Sequence, residues 1–229
     1  MNGVLLIDKP QDITSHDVVA LVRKRFKIKK VGHAGTLDPA ATGLLVLLLG
    51  QATKKSNTFL NAAKAYHVEC RLGIATDTDD REGKEIENHP LDKLAAELSK
   101  EKISKTIKTF QGEILQAVPR YSAVKINGKK LYELARQGKE FALPERLVNI
   151  YNIDIEKIEL PYVVMAVKCS KGTYIRSLCR DIGKKLNCGG CVWQLRRTMS
   201  EPFDIKRAIK LDQLKGMTEE ELLREIIKL

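Results

Sequence analysis

One segment of the sequence that could be catalytic contains a single carboxylate. Asp38 is the only acidic residue between positions 18 and 68, in the run KKVGHAGTLDPAATGLLVLLLGQATK from Lys29 to Lys54. Its glycines and Asp-Pro step disfavour helix and strand, whereas the apolar block Leu44–Leu49 predicts a buried strand. An Asp before Pro can simply cap a turn. The pattern nevertheless favours a rigid loop that presents one carboxylate at a strand end.

Two more residues have types and positions suited to chemistry. The segment KAYHVECRLG alternates in polarity, which predicts a strand with Tyr66 on its inward face. The segment KGTYIRSLCRDIGKKL predicts a helix that begins at Gly172 and Thr173, with Arg176 in its first turn and away from the apolar stripe. A cation there is disfavoured by the helix dipole, so we expect an anion nearby.

The composition narrows the class of protein and of partner. A chain of 229 residues with 43% hydrophobic residues can form one large domain or two small ones. Its net charge of +11 favours a polyanionic partner such as RNA or DNA, but charge alone does not exclude a membrane surface. The N-terminus has no basic region before its short apolar run, and no segment is long enough to span a membrane. We therefore expect a cytoplasmic protein.

The cysteines and acidic residues give little support for metal binding. Five cysteines without framework spacing are typical of thiols in a reducing compartment. One Cys-x-x-Cys, formed by Cys188 and Cys191, lacks the second ligand pair that a closed zinc site needs, so we interpret it as a Gly-Gly turn. The acidic run TDTDDREGKE lacks the glycine and glutamate of a calcium-binding EF-hand loop.

The remaining patterns predict mixed helices and strands. A capped helix should follow Thr14, and one or two helices should occupy Leu91 to Phe110. An Asn127-Gly128 turn should join a strand to a helix that Gly138 closes. Further strands are predicted at Val4 to Ile7, Gly112 to Val118, Leu147 to Ile158 and Tyr162 to Cys169.

Five segments occur in the order of known family motifs. VGHAGTLDPAATGLL, K-x-Y-x(5)-LG, T-D-T, GTYIRSL and L-R-R-T resemble the motifs of the TruB-type tRNA pseudouridine synthases, and the resemblance covers roughly Gly3 to Leu214. It implies an α+β pseudouridine synthase fold, with a central mixed, largely antiparallel sheet flanked by helices and loops. It also implies an enzyme that needs no cofactor and converts uridine 55 in the T-loop of tRNA to pseudouridine.

The resemblance also assigns roles to residues. Asp38 would be the nucleophile, Tyr66 would stack on the flipped uracil, and Arg176 would pair with Asp38. His33 would fill the space that the flipped base leaves, Leu195 would line the uracil pocket, and Asp80 would order the acidic segment. The other residues expected to bind RNA or the base are Lys54, Lys125, Lys129, Lys130 and Tyr174.

The expected organisation is a catalytic domain at residues 1–214, with a basic RNA-gripping insertion at 119–145 and a short helical tail at 215–229. This leaves no room for the PUA domain that most relatives carry at the C-terminus. The expected partner is the T-stem-loop of tRNA, without membrane, protein partner or guide RNA, and the chain should be a monomer. Phosphate contacts are expected from Arg23 to Lys30, which could also be a solvated face, and from Arg196 and Arg197.

Two other classes of function remain open at this point. The chain could be a non-catalytic RNA-binding or tRNA-folding module, although the intact set of Asp38, Tyr66 and Arg176 argues against it. It could also be a guide-RNA-dependent synthase of the archaeal and eukaryotic type, although the basic insertion and VGHAGTLDPAATG resemble the bacterial, stand-alone enzymes.

Overall fold

The computed structural model describes residues 1–126 and 128–229, so the predicted turn at Asn127 lies outside the described residues. The strands are β1 (Gly3–Lys9), β2 (Val31–His33), β3 (Thr42–Leu49), β4 (Lys64–Leu72), β5 (Ile74–Thr76), β6 (Glu85–Asn88), β7 (Gly112–Ala117), β8 (Lys125–Ile126), β9 (Lys129–Lys130), β10 (Glu145–Glu159), β11 (Tyr162–Cys169), β12 (Gly190–Ser200), β13 (Phe203–Asp204) and β14 (Ile209–Lys210).

The helices follow the predicted pattern closely. They are α1 (Ser15–Arg25), α2 (Ser56–Leu60), α3 (Leu91–Glu97), α4 (Lys100–Lys108), α5 (Leu131–Arg136), α6 (Ile175–Lys185), α7 (Leu211–Gly216) and α8 (Glu219–Glu225), with short 3-10 helices at Gly50–Lys55 and Ile205–Arg207. In the described part of the chain, ten strands belong to a mixed sheet, so the expected fold class is confirmed.

The described residues form two compact units, the first made of Met1–His67 and Leu195–Leu229. Here β1 pairs antiparallel with β3 from Gly3↔Leu49 to Lys9↔Gly43, and β14 pairs with β1 in parallel. Strands β1 and β3 are largely apolar and buried on both faces. The helices α1 and α7 cover one side of them, and Phe59 and Phe203 cover the other. The end of β12 runs parallel to the start of β3.

Helix α1 forms where the sequence predicts it because its first turn is fully capped. The Thr14 hydroxyl accepts from the Asp17 amide at 3.0 Å, and the Asp17 carboxylate accepts from the Thr14 amide at 3.1 Å. Val18, Val19 and Val22 then bury one face against the sheet. The cap fixes where the helix starts, and therefore where Ser15 points.

The second unit is Val68–Gln194. Strands β7, β10 and β11 form an antiparallel ladder in which β10 is central, while β5–β6 and β8–β9 are separate hairpins. Helix α6 is the most buried helix of this unit: apolar residues Ile175, Leu178 and Ile182 are covered, as are its polar residues Arg176 and Ser177. Such burial of charge points to a functional or organising role.

Two local predictions need correction. Helix α6 begins at Ile175 rather than at Gly172 and Thr173, because Thr173 uses its hydroxyl for a turn with the Ser170 carbonyl, at 2.9 Å. The turn predicted at the two glycines of NCGGC lies just before them, and Gly190 already starts β12. The proposed domain limits at 214 and at 119–145 stay predictions. No helix of the described residues is long and apolar enough to cross a membrane.

Candidate active site

Asp38 lies in the loop between β2 and β3, in the first unit. The start of this loop is held on β3, since His33 is paired with Leu47 and the Ala34 amide donates to the Val46 carbonyl at 2.9 Å. A tight turn closes directly after Asp38, where the Ala41 amide donates to the Asp38 carbonyl at 3.0 Å. The carboxylate is partly exposed on a loop with little freedom to move.

Ser15, the first residue of α1, fixes the residue before Asp38. Its hydroxyl accepts from the Leu37 amide at 2.9 Å and donates to the Leu37 carbonyl at 3.1 Å. Ser15 is fully buried, so water does not compete for these two hydrogen bonds. The capped helix therefore positions the loop through one hydroxyl.

Lys9 fixes the residue after Asp38. Its ammonium donates to the Pro39 carbonyl at 3.1 Å and to the carbonyls of Pro10 and Ile13 at 2.8 and 2.7 Å. Burial lowers the pKa of Lys9 to about 8, while the charges of Asp12 and Asp38 raise it and that of Arg197 lowers it again. An ammonium at the end of β1 thus adds positive charge close to the candidate nucleophile.

Arg197, on β12, fixes the start of the same loop. Its Nε donates to the Leu44 carbonyl at 2.7 Å and its Nη2 to the Gly35 carbonyl at 3.0 Å. The residue is only 1% exposed, so the expectation that Arg197 contacts RNA phosphate is wrong. Its neighbour Arg196 is more exposed and forms a two-pronged ion pair with Asp8, at 2.6 and 3.0 Å.

The other expected site residues of the first unit are Leu195, His33, Tyr66 and Lys54. Leu195 is half-buried, packs on the core cluster that contains Leu37, and lies at the β12 end next to β3. Burial, with the charges of Arg197 and His16, lowers the pKa of His33, whose buried Nδ1 has no partner within the described residues. Tyr66 is half-buried on β4, and Lys54 is exposed.

Arg176 organises the second unit's part of the predicted site. It is 6% exposed, and its Nη1 and Nη2 donate to the carbonyls of Thr78 and Tyr121 at 2.9 and 3.0 Å. The Asp80 carboxylate lies 3.8 Å from Nη1, which supplies the anion expected near the first turn of α6. The guanidinium is therefore locked in one orientation by two loops.

The Asp80 carboxylate is hydrogen-bonded within the acidic turn. Its Oδ1 accepts from the Thr78 hydroxyl at 2.6 Å and from the Glu82 amide at 3.1 Å. The turn is bridged to Val192 on β12. Tyr174 is half-buried, and its amide donates at 2.8 Å to the side chain of Gln116, which is a tertiary cap for α6.

The lysines expected to bind RNA lie on the hairpin β8–β9. Lys125 and Lys129 are exposed, whereas Lys130 donates to the Tyr132 hydroxyl at 3.1 Å, a bond that raises its pKa. The five cysteines are buried thiols. Among the residues that the structure describes, no three His, Cys, Asp or Glu side chains are grouped to hold a metal ion.

The structure thus brings Asp38 together with anchoring residues in one unit, and Arg176 with Asp80 in the other. The pairing of Arg176 with Asp38 stays a prediction. Sequence reasoning missed Lys9 and Arg197 as anchors of the loop. The signal that could have revealed Lys9 is its position at the end of a largely apolar strand, where a charged side chain needs a partner.

Comparisons with known proteins agree with this geometry. Residues 23–175 match the family model described as "TruB family pseudouridylate synthase (N terminal domain)", and residues 176–228 match "tRNA pseudouridylate synthase B C-terminal domain". The fold is therefore that of a pseudouridylate synthase. The chain belongs to the TruB family.

Named relatives are similar over nearly the whole chain. The chain is 48% identical to "tRNA pseudouridine synthase B" of Clostridium tetani over 227 residues, which is 99% of this chain and 76% of that protein. It is 43% identical to the protein of the same name from Francisella tularensis subsp. novicida, over 99% of this chain and 74% of that one.

Solved structures show the same fold in larger assemblies. The chain resembles a protein in a Cbf5–Nop10–Gar1 complex with a TM-score of 0.72 and 32% identity, covering 97% of this chain and 58% of that one. It resembles a protein in an H/ACA RNP bound to a substrate RNA with a TM-score of 0.70 and 29% identity, covering 99% and 58%. The chain thus spans less than two thirds of these structural relatives.

Proposed function

We propose that this protein is an enzyme that isomerises uridine 55 in the T-loop of tRNA to pseudouridine, acting in the cytoplasm. Its membership of the TruB family supports the reaction class, and the names of its relatives support tRNA as substrate. The observation that carries the proposal is the Asp38 loop, in which Ser15, Lys9 and Arg197 fix the backbone on both sides of one carboxylate.

The reaction replaces one bond of the nucleotide with another and needs no oxidant or reductant. The bond from C1′ to N1 of uridine breaks, the uracil turns, and a bond from C1′ to C5 forms. The proton on C5 is released and N1 gains one, so no cofactor is required. Asp38 attacks or stabilises the electron-poor C1′ while the base is loose, which requires the ionised carboxylate. The charge of Asp38 also acts on the Lys9 ammonium, whose pKa it raises.

The loose base must be held until it rejoins. A uridine stacked in a folded loop is out of reach, so it must be flipped out, at a cost of a few kcal/mol. Stacking on Tyr66 and contact with Leu195 compensate part of this cost. A neutral His33 can enter the space that the base leaves, and the lowered pKa of its ring favours the neutral form.

Binding of tRNA depends on the basic surface. The net charge of +11 and the exposed lysines Lys54, Lys125 and Lys129 suit the phosphates of a T-stem-loop. We infer that one copy of the chain acts alone, without guide RNA.

The direct test uses the purified chain, without added RNA or protein. Its substrates are a tRNA transcript tritiated at C5 of uridine and a transcript that carries cytidine at position 55. Tritium release from the first, with pseudouridine mapped to position 55, supports the proposal. Equal release from the second transcript, or none from either, contradicts it.

A guide-dependent reaction is the second candidate, because the chain resembles proteins from two H/ACA assemblies with a TM-score of 0.70. In that case the purified chain would leave tRNA unmodified until a guide RNA that pairs around the target uridine is added. The 48% identity to proteins named for tRNA favours the stand-alone reaction.

A further inference from the structure

Two arginines on one face of α6 reach the same two segments of the second unit. Arg176 and Arg180 are four residues apart, so their side chains point in the same direction. Both contact the turn at residues 77–80 and the segment at 117–121, which begins with the last residue of β7. The family resemblance gives a role to Arg176, whereas Arg180 has none.

Arg180 makes contacts as specific as those of Arg176. Its Nη1 donates to Oδ2 of Asp79 at 2.9 Å and its Nη2 to the Ala117 carbonyl at 3.1 Å. Its Nε donates at 2.9 Å to Asp181 on its own helix. All three nitrogens of the guanidinium are thus engaged, and Arg180 connects α6 to both segments.

Asp79 is held in a demanding backbone conformation at the centre of the turn. Its φ is 62°, in the left-handed region, and its side chain is 11% exposed. Its amide donates to the Thr76 carbonyl at 3.2 Å, and its carbonyl accepts from the Val192 amide at 3.1 Å. A buried, charged carboxylate in the left-handed region lowers the stability of the fold. Such costs occur most often at functional sites.

The neighbours of Asp79 in the chain are the residues that orient Arg176. Thr78 offers its carbonyl to the Arg176 guanidinium, and the Asp80 carboxylate lies 3.8 Å from it. We propose that Asp79 and Arg180 are positioning residues, which hold the turn where Thr78 and Asp80 orient Arg176 for the reaction. This inference rests on the proposed function.

Protonation of Asp79 offers a test that distinguishes a positioning role from that of a purely structural ion pair. Burial raises the pKa of Asp79 to about 6, although the charges of Arg180 and Arg176 lower it. The titratable and charged groups around it on α6, on β12 and on its own turn are Arg176, Cys179, Arg180, Asp181, Cys191 and Asp80.

The direction of the stability effect follows from that raised pKa. Because the pKa of Asp79 in the folded chain exceeds the ordinary value of 3.8, the folded chain holds a proton between about pH 4 and 6 that the unfolded chain has lost. Ionisation of Asp79 therefore costs stability as the pH rises through this window. The neutral variant Asp79→Asn should keep its Tm at pH 7.5 within about 3 °C of the wild type or exceed it.

The experiment measures single-turnover tritium release at saturating enzyme, binding of the same tRNA, and Tm. At pH 7.5, Asp79→Asn should react about tenfold or more slowly, as expected for a misplaced catalytic group, with Kd changed less than twofold. At pH 5 the ratio of wild-type to variant rate should approach one, because Asp79 of the wild type is then protonated. Taking the ratio cancels every titration that the two proteins share.

Asp181→Asn is the matched control. It removes the other carboxylate that Arg180 contacts but leaves the turn untouched, so its rate should stay within about twofold of the wild type. Arg180→Lys should keep part of the reaction rate that Arg180→Met loses, since the lysine ammonium keeps one of the contacts of Arg180.

The inference is overturned if Asp79→Asn reacts at the wild-type rate, if the control is equally slow, or if the wild-type to variant ratio is the same at pH 5 and 7.5. A wild type that releases no tritium contradicts the proposed function instead. The wild-type measurement therefore separates the two failures, and the pH dependence does not require that Arg180→Met folds.

Discussion

Asp38 is positioned by side chains that are themselves buried. Ser15 holds Leu37 and Lys9 holds Pro39, so the residues on both sides of Asp38 are fixed by hydrogen bonds from buried side chains. A carboxylate on an unrestrained loop would lose most of the advantage of proximity, which is worth several kcal/mol of the barrier. At the scale of the residue, catalytic capacity therefore depends on the backbone around Asp38 as much as on its charge.

The first prediction concerns this charge. Asp38→Asn keeps the shape of the side chain and removes the nucleophile, so tritium release should fall by about a thousandfold or more, with Kd for tRNA changed only a few-fold. Asp12→Asn is the control, because Asp12 is exposed and its carboxylate accepts only a 3.3 Å bond from Gln11 among the hydrogen bonds described. Measurable turnover in a clean Asp38→Asn preparation would contradict the role of Asp38.

The second prediction separates two roles of Tyr66. Tyr66→Phe keeps the ring and should bind tRNA normally, whereas Tyr66→Leu loses stacking, which is worth about 1–3 kcal/mol per base. If the hydroxyl also moves a proton, the Phe variant should react about a hundredfold more slowly at saturating enzyme. Full activity of Tyr66→Phe in single-turnover assays would restrict Tyr66 to packing and stacking.

Sequence patterns suggested the candidate catalytic residues but not the residues that hold them in place. Asp38 and Arg176 stand out because their types conflict with their surroundings. Arg197 was interpreted as an RNA contact, because an arginine in a basic motif is usually exposed. Its burial depends on the pairing of β12 with β3, which joins residues about 150 positions apart and leaves no local signal.

At the scale of elements, most strands and helices were predictable and their ends were less so. The start of α6 was placed too early because Gly172 and Thr173 resemble a helix start. The residue that satisfies the Tyr174 amide is Gln116, which comes from β7 and is far away in the sequence. The cap of α1 was predicted correctly because Thr14 and Asp17 are both local.

The third prediction tests how closely β12 packs on the end of the Asp38 loop. Gly43 has a φ of 100°, and a Cβ there would overlap the backbone of Arg197. Gly112 has a φ of 102°, but a Cβ there meets nothing. Both Ala variants lose about 1–2 kcal/mol from the left-handed backbone, and Gly43→Ala should lose about 1–3 kcal/mol more from overpacking.

Denaturant unfolding measures the two free energies, and tritium release measures the consequence for the site. Gly43→Ala should lose activity even where it remains folded, because the displaced strand carries Leu195 and Arg197. Equal unfolding free energies for the two variants would mean that the contact between Gly43 and Arg197 is looser than the structure indicates.

At the scale of the whole molecule, the composition predicted the kind of partner, whereas the topology of the sheet could not be predicted from it. The charge of +11 indicates a polyanion from the sequence alone. The order of strands in the sheet depends on pairings between distant segments, such as Ile7 with Ile209, which depend on the three-dimensional fold rather than on local pattern.

The last prediction concerns the basic surface. If Lys54, Lys125 and Lys129 each contact a phosphate, changing any one to Gln should weaken tRNA binding and reduce the slope of log Kd against log salt by roughly 0.7 to 0.9, because one fewer counterion is released. Lys157→Gln is the matched control, since Lys157 is also exposed but forms an ion pair with Glu159 at 2.8 Å. Titrations at four salt concentrations measure the slope. An unchanged slope in a Lys125→Gln and Lys129→Gln double variant would show that the hairpin β8–β9 does not grip the phosphates, whatever its effect on the rate.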